Sequence, residues 1–229
     1  MEHEKERLRA NLEAIQERIA RACDKAGRSK DTVRLVAVTK TFPAETVQSL
    51  IDIGVREIGE NRVQEMAAKA PGLKGDFVLH MVGHLQTNKV TQALRFASWI
   101  QSIDSERLVA RIEHCHTGGE KVKALVEVNT SGEASKSGCL VGQCRQLCKR
   151  VAASSALELQ GLMTIGPFGG NEAQVRGSFR TLQKLGDSIV DLVARPELSM
   201  GMSDDFEWAI QEGSTMVRIG TALAGARRV

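Results

Sequence analysis

Apolar positions along the chain recur in two alternating rhythms. Short, nearly continuous apolar runs fall at about residues 33–39, 56–59, 77–82, 98–102, 122–128, 158–163, 197–201 and 215–219, each the length of a buried strand. Between them, over 44–53, 61–69, 87–96, 105–116, 140–154, 172–194 and 204–212, apolar residues return every three or four positions, the period of a helix with one buried face. Eight strands alternating with helices predict an α/β protein: a single (β/α)8 TIM barrel, one domain spanning residues 1–229. An open doubly wound sheet has the same local pattern, and the count of eight favours closure. Ahead of the first strand, residues 4–26 carry Leu8, Leu12, Ile15, Ile19 and Ala22 on one stripe and stop at Gly27. This predicts an extra N-terminal helix that caps the barrel bottom or pairs with another helix.

The polar residues that interrupt this pattern gather just after the strands, the end at which α/β barrels bind ligands. Counting by twos along the first strand, Val36, Val38 and Lys40 share a face, so the lysine is expected at the barrel mouth; the alternative is a solvated lysine opening a loop. Gly59-Glu60-Asn61-Arg62, Gly83-His84-Leu85-Gln86 and Asn129-Thr130-Ser131-Gly132, the last leading to Lys136-Ser137-Gly138, follow the second, third and fifth predicted strands. Ser199-Met200-Gly201-Met202-Ser203 and Arg218-Ile219-Gly220-Thr221 mark the seventh and eighth, where barrels commonly bind phosphate. A lysine and a phosphate site in one mouth point to Schiff-base chemistry with a phosphorylated carbonyl compound, a description that pyridoxal 5'-phosphate fits. Arg218, a charge inside the apolar run Met216-Val217-Arg218-Ile219, is then placed to meet the ring nitrogen, unless it forms an internal salt bridge with Glu57 or Glu127. A guanidinium donates a hydrogen bond to that nitrogen but yields no proton easily, which makes a poorer electron sink.

Composition narrows the partners. The 31 Lys and Arg exceed the 28 Asp and Glu by only three and are interspersed, too weak a field for nucleic acid, and six Phe, two Trp and no Tyr offer little for base stacking. The N-terminus is charged through Arg9 and no apolar run reaches membrane-spanning length, so a cytoplasmic protein without a membrane partner is expected. Five cysteines are expected to be reduced thiols. Cys139, Cys144 and Cys148, with His114-Cys115-His116 upstream, match no zinc or iron–sulfur spacing, and no metal is expected.

Several long motifs in order carry a resemblance to the pyridoxal phosphate homeostasis protein family, running from about Val33 to Gly225. They are Leu35-Val36-Ala37-Val38-Thr39-Lys40, Gly59 to Glu65, Gly83 to Lys89, Ser135-Lys136-Ser137-Gly138, Leu198 to Asp205 and Gly213 to Thr221. The resemblance implies a barrel like the N-terminal domain of alanine racemase, with pyridoxal 5'-phosphate held covalently on Lys40 as a Schiff base. It implies that Met202, Ser203, Gly220 and Thr221 hold the phosphate and Arg218 the ring nitrogen, that Asn61 and Met163 line the ring, and that Lys136 assists cofactor transfer. Phe42, Leu79 and Ala224 depart from the family's common pattern and bear on the pocket wall and on cofactor exchange. Members resemble carriers or regulators of vitamin B6 supply, without a firmly assigned reaction, whose partners are the cofactor and the apo-enzymes that receive it; a monomer or weak homodimer is expected. The alternative is an amino-acid racemase, which needs a second acid/base, commonly a tyrosine from a domain beyond the barrel; this chain has none and ends at Val229, so negligible racemisation is expected. A Schiff-base aldolase ranks lower, because Leu159-Gln160-Gly161-Leu162-Met163-Thr164 on the sixth predicted strand lacks the lysine such barrels commonly place there.

Overall fold

Eight parallel strands close on themselves in the computed structural model, which describes residues 2–225. They are β1 (Arg34–Val38), β2 (Glu57–Glu60), β3 (Val78–Met81), β4 (Trp99–Ile103), β5 (Val122–Asn129), β7 (Leu157–Met163), β8 (Glu197–Ser199) and β9 (Met216–Ile219). A two-residue strand, β6 (Cys139–Leu140), pairs only with the end of β5. Going round the barrel the order is β1, β2, β3, β4, β5, β7, β8, β9, and β9 pairs back to β1 with Val36 opposite Arg218.

Closure splits the apolar residues into two cores, as the two-residue period of a strand requires. Val36 and Val38 face inward to join Val82, Trp99, Leu125, Met163 and Met216 inside the barrel. Ala37, between them, faces out into the larger core beneath the helices. Gly59 makes room for the inner set, since a Cβ there would stand 3.0 Å from a Val36 methyl and 3.3 Å from one of Val82.

Around the barrel lie α2 (Ala44–Asp52), α3 (Val63–Lys69), α4 (Val90–Ala93), α5 (Glu106–Cys115), α6 (Cys144–Ala152), α7 (Glu172–Asp187), α8 (Phe206–Gln211) and α9 (Thr221–Ala224). The N-terminal helix α1 (Glu2–Lys25) packs against α8, α9 and α2 and does not cap the bottom. Leu8, Leu12, Ile15, Ile19, Ala22 and Cys23 are buried there, while Asn11 and Arg7 donate to the Leu223 and Ala224 carbonyls at 2.9 and 3.1 Å, satisfying the end of α9.

Three predicted helices are shorter than their periodicity, two of them for a tertiary reason. Over 140–154 the chain first adds β6 to β5 and makes a tight turn, so α6 begins at Cys144. Over 172–194, α7 ends at Asp187 because Arg145 from α6 takes the Ser188 carbonyl; the Leu192 N–H that a continuing helix would send there bonds Ile189 instead, at 2.9 Å. Over 87–96 only a 3-10 turn, Thr87–Lys89, and α4 form.

Leu8 is fully buried against the last helices. Leu8→Ala is expected to lower the unfolding free energy in urea by about 2–5 kcal/mol. Val190→Ala, at a side chain 52% exposed, should stay within about 0.5 kcal/mol of wild type in the same measurement.

Candidate functional site

A cavity of about 390 Å³ opens at the C-terminal ends of the strands. Of the residues singled out in the sequence, Lys40, Asn61, Lys136, Met202, Ser203, Arg218, Gly220 and Thr221 all line it. Met163 does not; it is fully buried in the barrel interior, packed in the cluster that includes Val38 and Val82, two residues of the cavity wall.

Lys40 keeps the parity of Val36 and Val38 but stands just past the end of β1, in a loop pinned on both sides. On one side the Thr39 carbonyl accepts from Lys69 Nζ at 2.8 Å, and the Thr39 hydroxyl donates to Glu60 at 2.6 Å. On the other, the Thr41 N–H donates to Glu65 at 2.6 Å, and Lys69 bridges Glu60 and Glu65 at 2.8 and 3.4 Å. Thr41 has φ of 68°, a left-handed conformation that costs a β-branched residue about 1–3 kcal/mol. The charge-assisted bonds of this partly buried cluster offset that strain, and the turn they hold carries Lys40 to the cavity.

The loops after β8 and β9 are tied to each other. Ser203 Oγ accepts from the Ala222 N–H at 3.3 Å and lies 3.3 Å from the Thr221 hydroxyl. The Met202 N–H donates to Asp205 at 2.6 Å, closing the turn. Gly201 makes that turn possible: its φ is +92°, and a Cβ there would stand 2.6 Å from the Ala209 Cβ. Across the mouth, Lys136 Nζ donates to the Gly166 carbonyl at 2.6 Å and pairs with Glu133 at 2.5 Å, latching the loop after β5 onto the loop after β7.

Arg218 is the buried cation of the site. Its Nη1 donates to Ser199 Oγ at 2.6 Å and its Nη2 to the Thr164 carbonyl at 2.8 Å. Glu57 is engaged elsewhere, by Arg34 and His80, and Glu127 and Asp205 act on Arg218 only as neighbouring charges. Burial pulls the guanidinium down to about 10, so it remains a cation at neutral pH. Glu127 faces the same cavity, 5% exposed, with Oε2 lacking any hydrogen-bond partner among the described residues. Burial, then the charge of Asp104, push its carboxyl up to about 7 against the pull of Arg218. With that carboxyl about half protonated at neutral pH, Lys40, Lys136 and Arg218 outweigh Glu127 and Asp204 on the wall, and the mouth favours an anion.

From the sequence, Glu127 is read only as a salt-bridge partner for Arg218, Ser199 and Glu60 only within the polar runs of the mouth, and Lys69 not at all. For Glu127 a signal was available: Leu125 and Glu127 share a face of β5, and Leu125 points into the barrel, so the next residue of that parity reaches the mouth. The cysteines at 139, 144 and 148 are buried free thiols, and no cluster of three or more His, Cys, Asp or Glu suited to a metal occurs among the described residues.

The sequence matches the family described as "Alanine racemase, N-terminal domain" over residues 10–228. It is 40% identical over 221 residues to the pyridoxal phosphate homeostasis protein of Aquifex aeolicus (strain VF5), covering 95% of this chain and 97% of that one. Among solved structures, an unknown protein from Bifidobacterium adolescentis superposes with a TM-score of 0.91 at 38% identity, over 97% of this chain and 96% of that one. PipY of Synechococcus elongatus PCC7942, solved with PLP bound, has a TM-score of 0.79 at 31% identity, over 92% of this chain and 100% of its own.

Two measurements check the electrostatics. Lys69→Met leaves the buried Glu60 and the Thr39 carbonyl without their cation and is expected to cost about 3–5 kcal/mol in urea unfolding. For Glu127, the folded carboxyl is raised from 4.5 to about 7, so between those values the folded protein holds a proton that the unfolded chain has released. Stability therefore falls as pH rises through that window. Glu127→Gln should remove this dependence, so that its stability relative to wild type grows between about pH 5 and about pH 8 in parallel urea titrations.

Proposed function

The chain belongs to the pyridoxal phosphate homeostasis proteins, built on the alanine racemase N-terminal domain, and from that membership we propose that it binds pyridoxal 5'-phosphate at the barrel mouth and buffers or carries it in the cytoplasm. The observation that carries the reading is the convergence in one cavity of a lysine amine, a hydroxyl pair beside a glycine and a buried guanidinium. This donor set fits the cofactor group by group. When bound, pyridoxal 5'-phosphate supplies an aldehyde that condenses with an amine, a phosphate dianion and a ring nitrogen that accepts a hydrogen bond.

Lys40 provides the amine for a covalent Schiff base, delivered by a turn that cannot swing freely because both flanking peptides are bonded. Ser203 and Thr221, with the backbone of Met202 and Gly220, hold the phosphate. Arg218 donates to the ring nitrogen. Asn61 lines the ring's side of the cavity, and Met163 supports it from below through Val38 and Val82. Lys136 assists arrival or departure of the cofactor, for which it must first leave the Gly166 carbonyl and Glu133.

A carrier is favoured over a racemase by two properties of these residues. The partner of the ring nitrogen is a guanidinium that stays protonated, which limits how far a bound cofactor can accept electrons. No tyrosine exists in the chain to protonate the opposite face of a substrate carbon. Apo-enzymes that use the cofactor are the natural recipients.

Borohydride reduction of the protein with pyridoxal 5'-phosphate, followed by peptide mass spectrometry, should label Lys40; labelling chiefly at Lys136 or Lys89 overturns the assignment. Equilibrium binding separates the phosphate contribution. Ser203→Ala with Thr221→Val should weaken pyridoxal 5'-phosphate about tenfold or more, since each charge-assisted hydrogen bond is worth about 1.5–3 kcal/mol, and should leave pyridoxal nearly unaffected. Equal affinity of the wild type for pyridoxal and its phosphate would remove the phosphate site.

A further inference from the structure

A line of buried polar side chains crosses the barrel interior, from the Arg34–Glu57 end to the mouth, and the cavity does not account for it. His80, Gln101 and Ser199 are fully buried there among apolar neighbours. Such groups are costly unless every one is satisfied.

Donor and acceptor chemistry fixes the direction of each bond. Arg218 has only donors, so Ser199 Oγ accepts from it, at 2.6 Å, and the hydroxyl proton goes to Gln101 Oε1 at 2.7 Å. With Oε1 spent as an acceptor, the Gln101 amide nitrogen faces His80 Nδ1 at 2.9 Å and Met216 Sδ at 3.0 Å. An amide nitrogen cannot accept, so Nδ1 is bare and the ring's proton sits on Nε2, donated to Glu57. Glu57 also accepts from Arg34 at 3.2 Å. Every bond therefore points from the guanidinium at the mouth toward the carboxylate near the far end.

The line has one consistent polarity. Were Nδ1 protonated, Gln101 would have to turn over, and Ser199 would face an amide donor and a guanidinium donor together. His80 is faced by Glu57, Arg34, Lys123 and the Trp99 ring, stacked at 5.3 Å; burial holds the imidazole below its ordinary pKa, with Glu57 opposing. Arg218 is faced by Glu127 and Asp205.

We infer that Ser199, Gln101 and His80 are positioning residues for Arg218: their one-way line of hydrogen bonds holds the guanidinium still and so sets the hydrogen bond it can offer to a ring nitrogen in the mouth. This rests on the reading of Arg218 as the ring-nitrogen partner. Two of its five N–H groups are spent on Ser199 and Thr164, and the residue still lines the cavity. Without the Ser199 bond, only the Thr164 carbonyl would resist rotation of the guanidinium.

Nitrogen NMR on the cofactor-free protein tests the line directly. In wild type, His80 should be neutral with its proton on Nε2, and the Arg218 Nη signals should be separately resolved through slow rotation. Ser199→Ala should average the Nη signals, and Ser199→Thr, which keeps the hydroxyl, should restore them. Gln101→Glu, which can only accept, should move a proton onto His80 Nδ1. With pyridoxal 5'-phosphate added, Ser199→Ala should shift the pH midpoint of its bound absorbance by about one unit, restored in Ser199→Thr. A wild-type His80 protonated on Nδ1 overturns the inference. So does a Ser199→Ala protein whose melting temperature falls while the Nη signals and the absorbance midpoint stay in place. Failure of the wild type to bind pyridoxal 5'-phosphate would instead defeat the functional reading, and the cofactor-free signals would still decide whether the line exists.

Discussion

A guanidinium buried at the upper end of a closed barrel constrains everything around it. Arg218 cannot shed its charge at neutral pH, and removing it from water is tolerable only if its N–H groups find acceptors. Ser199 and the Thr164 carbonyl are those acceptors, one at the end of β8 and the other just past the end of β7. Serving as an acceptor obliges Ser199 to give its proton onward, and the obligation passes to Gln101 and His80 until Glu57 ends it. One charge at the mouth thus dictates the side-chain chemistry of an interior otherwise filled by apolar residues such as Val36, Leu125 and Met163.

Lys40 is held by the opposite device. It is only half-buried; the backbone on either side is held instead. Thr41 is forced into a left-handed conformation, and the cluster of Lys69, Glu60 and Glu65 bonds the peptides before and after the lysine. Rigidity of the turn leaves the amine itself free in the cavity. The proposed covalent anchor would use that combination: a fixed base and a reactive end with no hydrogen-bond partner among the described residues.

The electrostatic balance of the mouth follows from burial more than from composition. The whole chain carries a net charge of only +3, yet Glu127 is so poorly solvated that its carboxyl is raised to about 7. That leaves three cations to face a phosphorylated ligand. The same desolvation lowers Arg218 only to about 10, because Glu127 and Asp205 pull the other way.

Much of this was legible in the chain itself. Nearly continuous apolar runs alternating with stripes that return every three or four positions specify strands and helices locally, and eight such units with polar residues at one end leave few architectures, which is why the strands, the helix over Leu8 to Ala22 and the mouth location of Lys40, Ser203, Arg218 and Thr221 could be placed from sequence. Contacts between residues far apart in the chain were not legible. The early end of α7 depends on Arg145 reaching the Ser188 carbonyl, the seat of α1 depends on a last helix only four residues long, and the direction of the line from Arg218 to Glu57 depends on strands β2, β3, β4, β8 and β9 meeting around one axis. Local pattern determines which way a side chain points from its own strand. Only closure of the barrel decides what it meets there, because hydrogen bonds across the interior join residues whose separation in sequence, 98 positions between Gln101 and Ser199, carries no periodic signal.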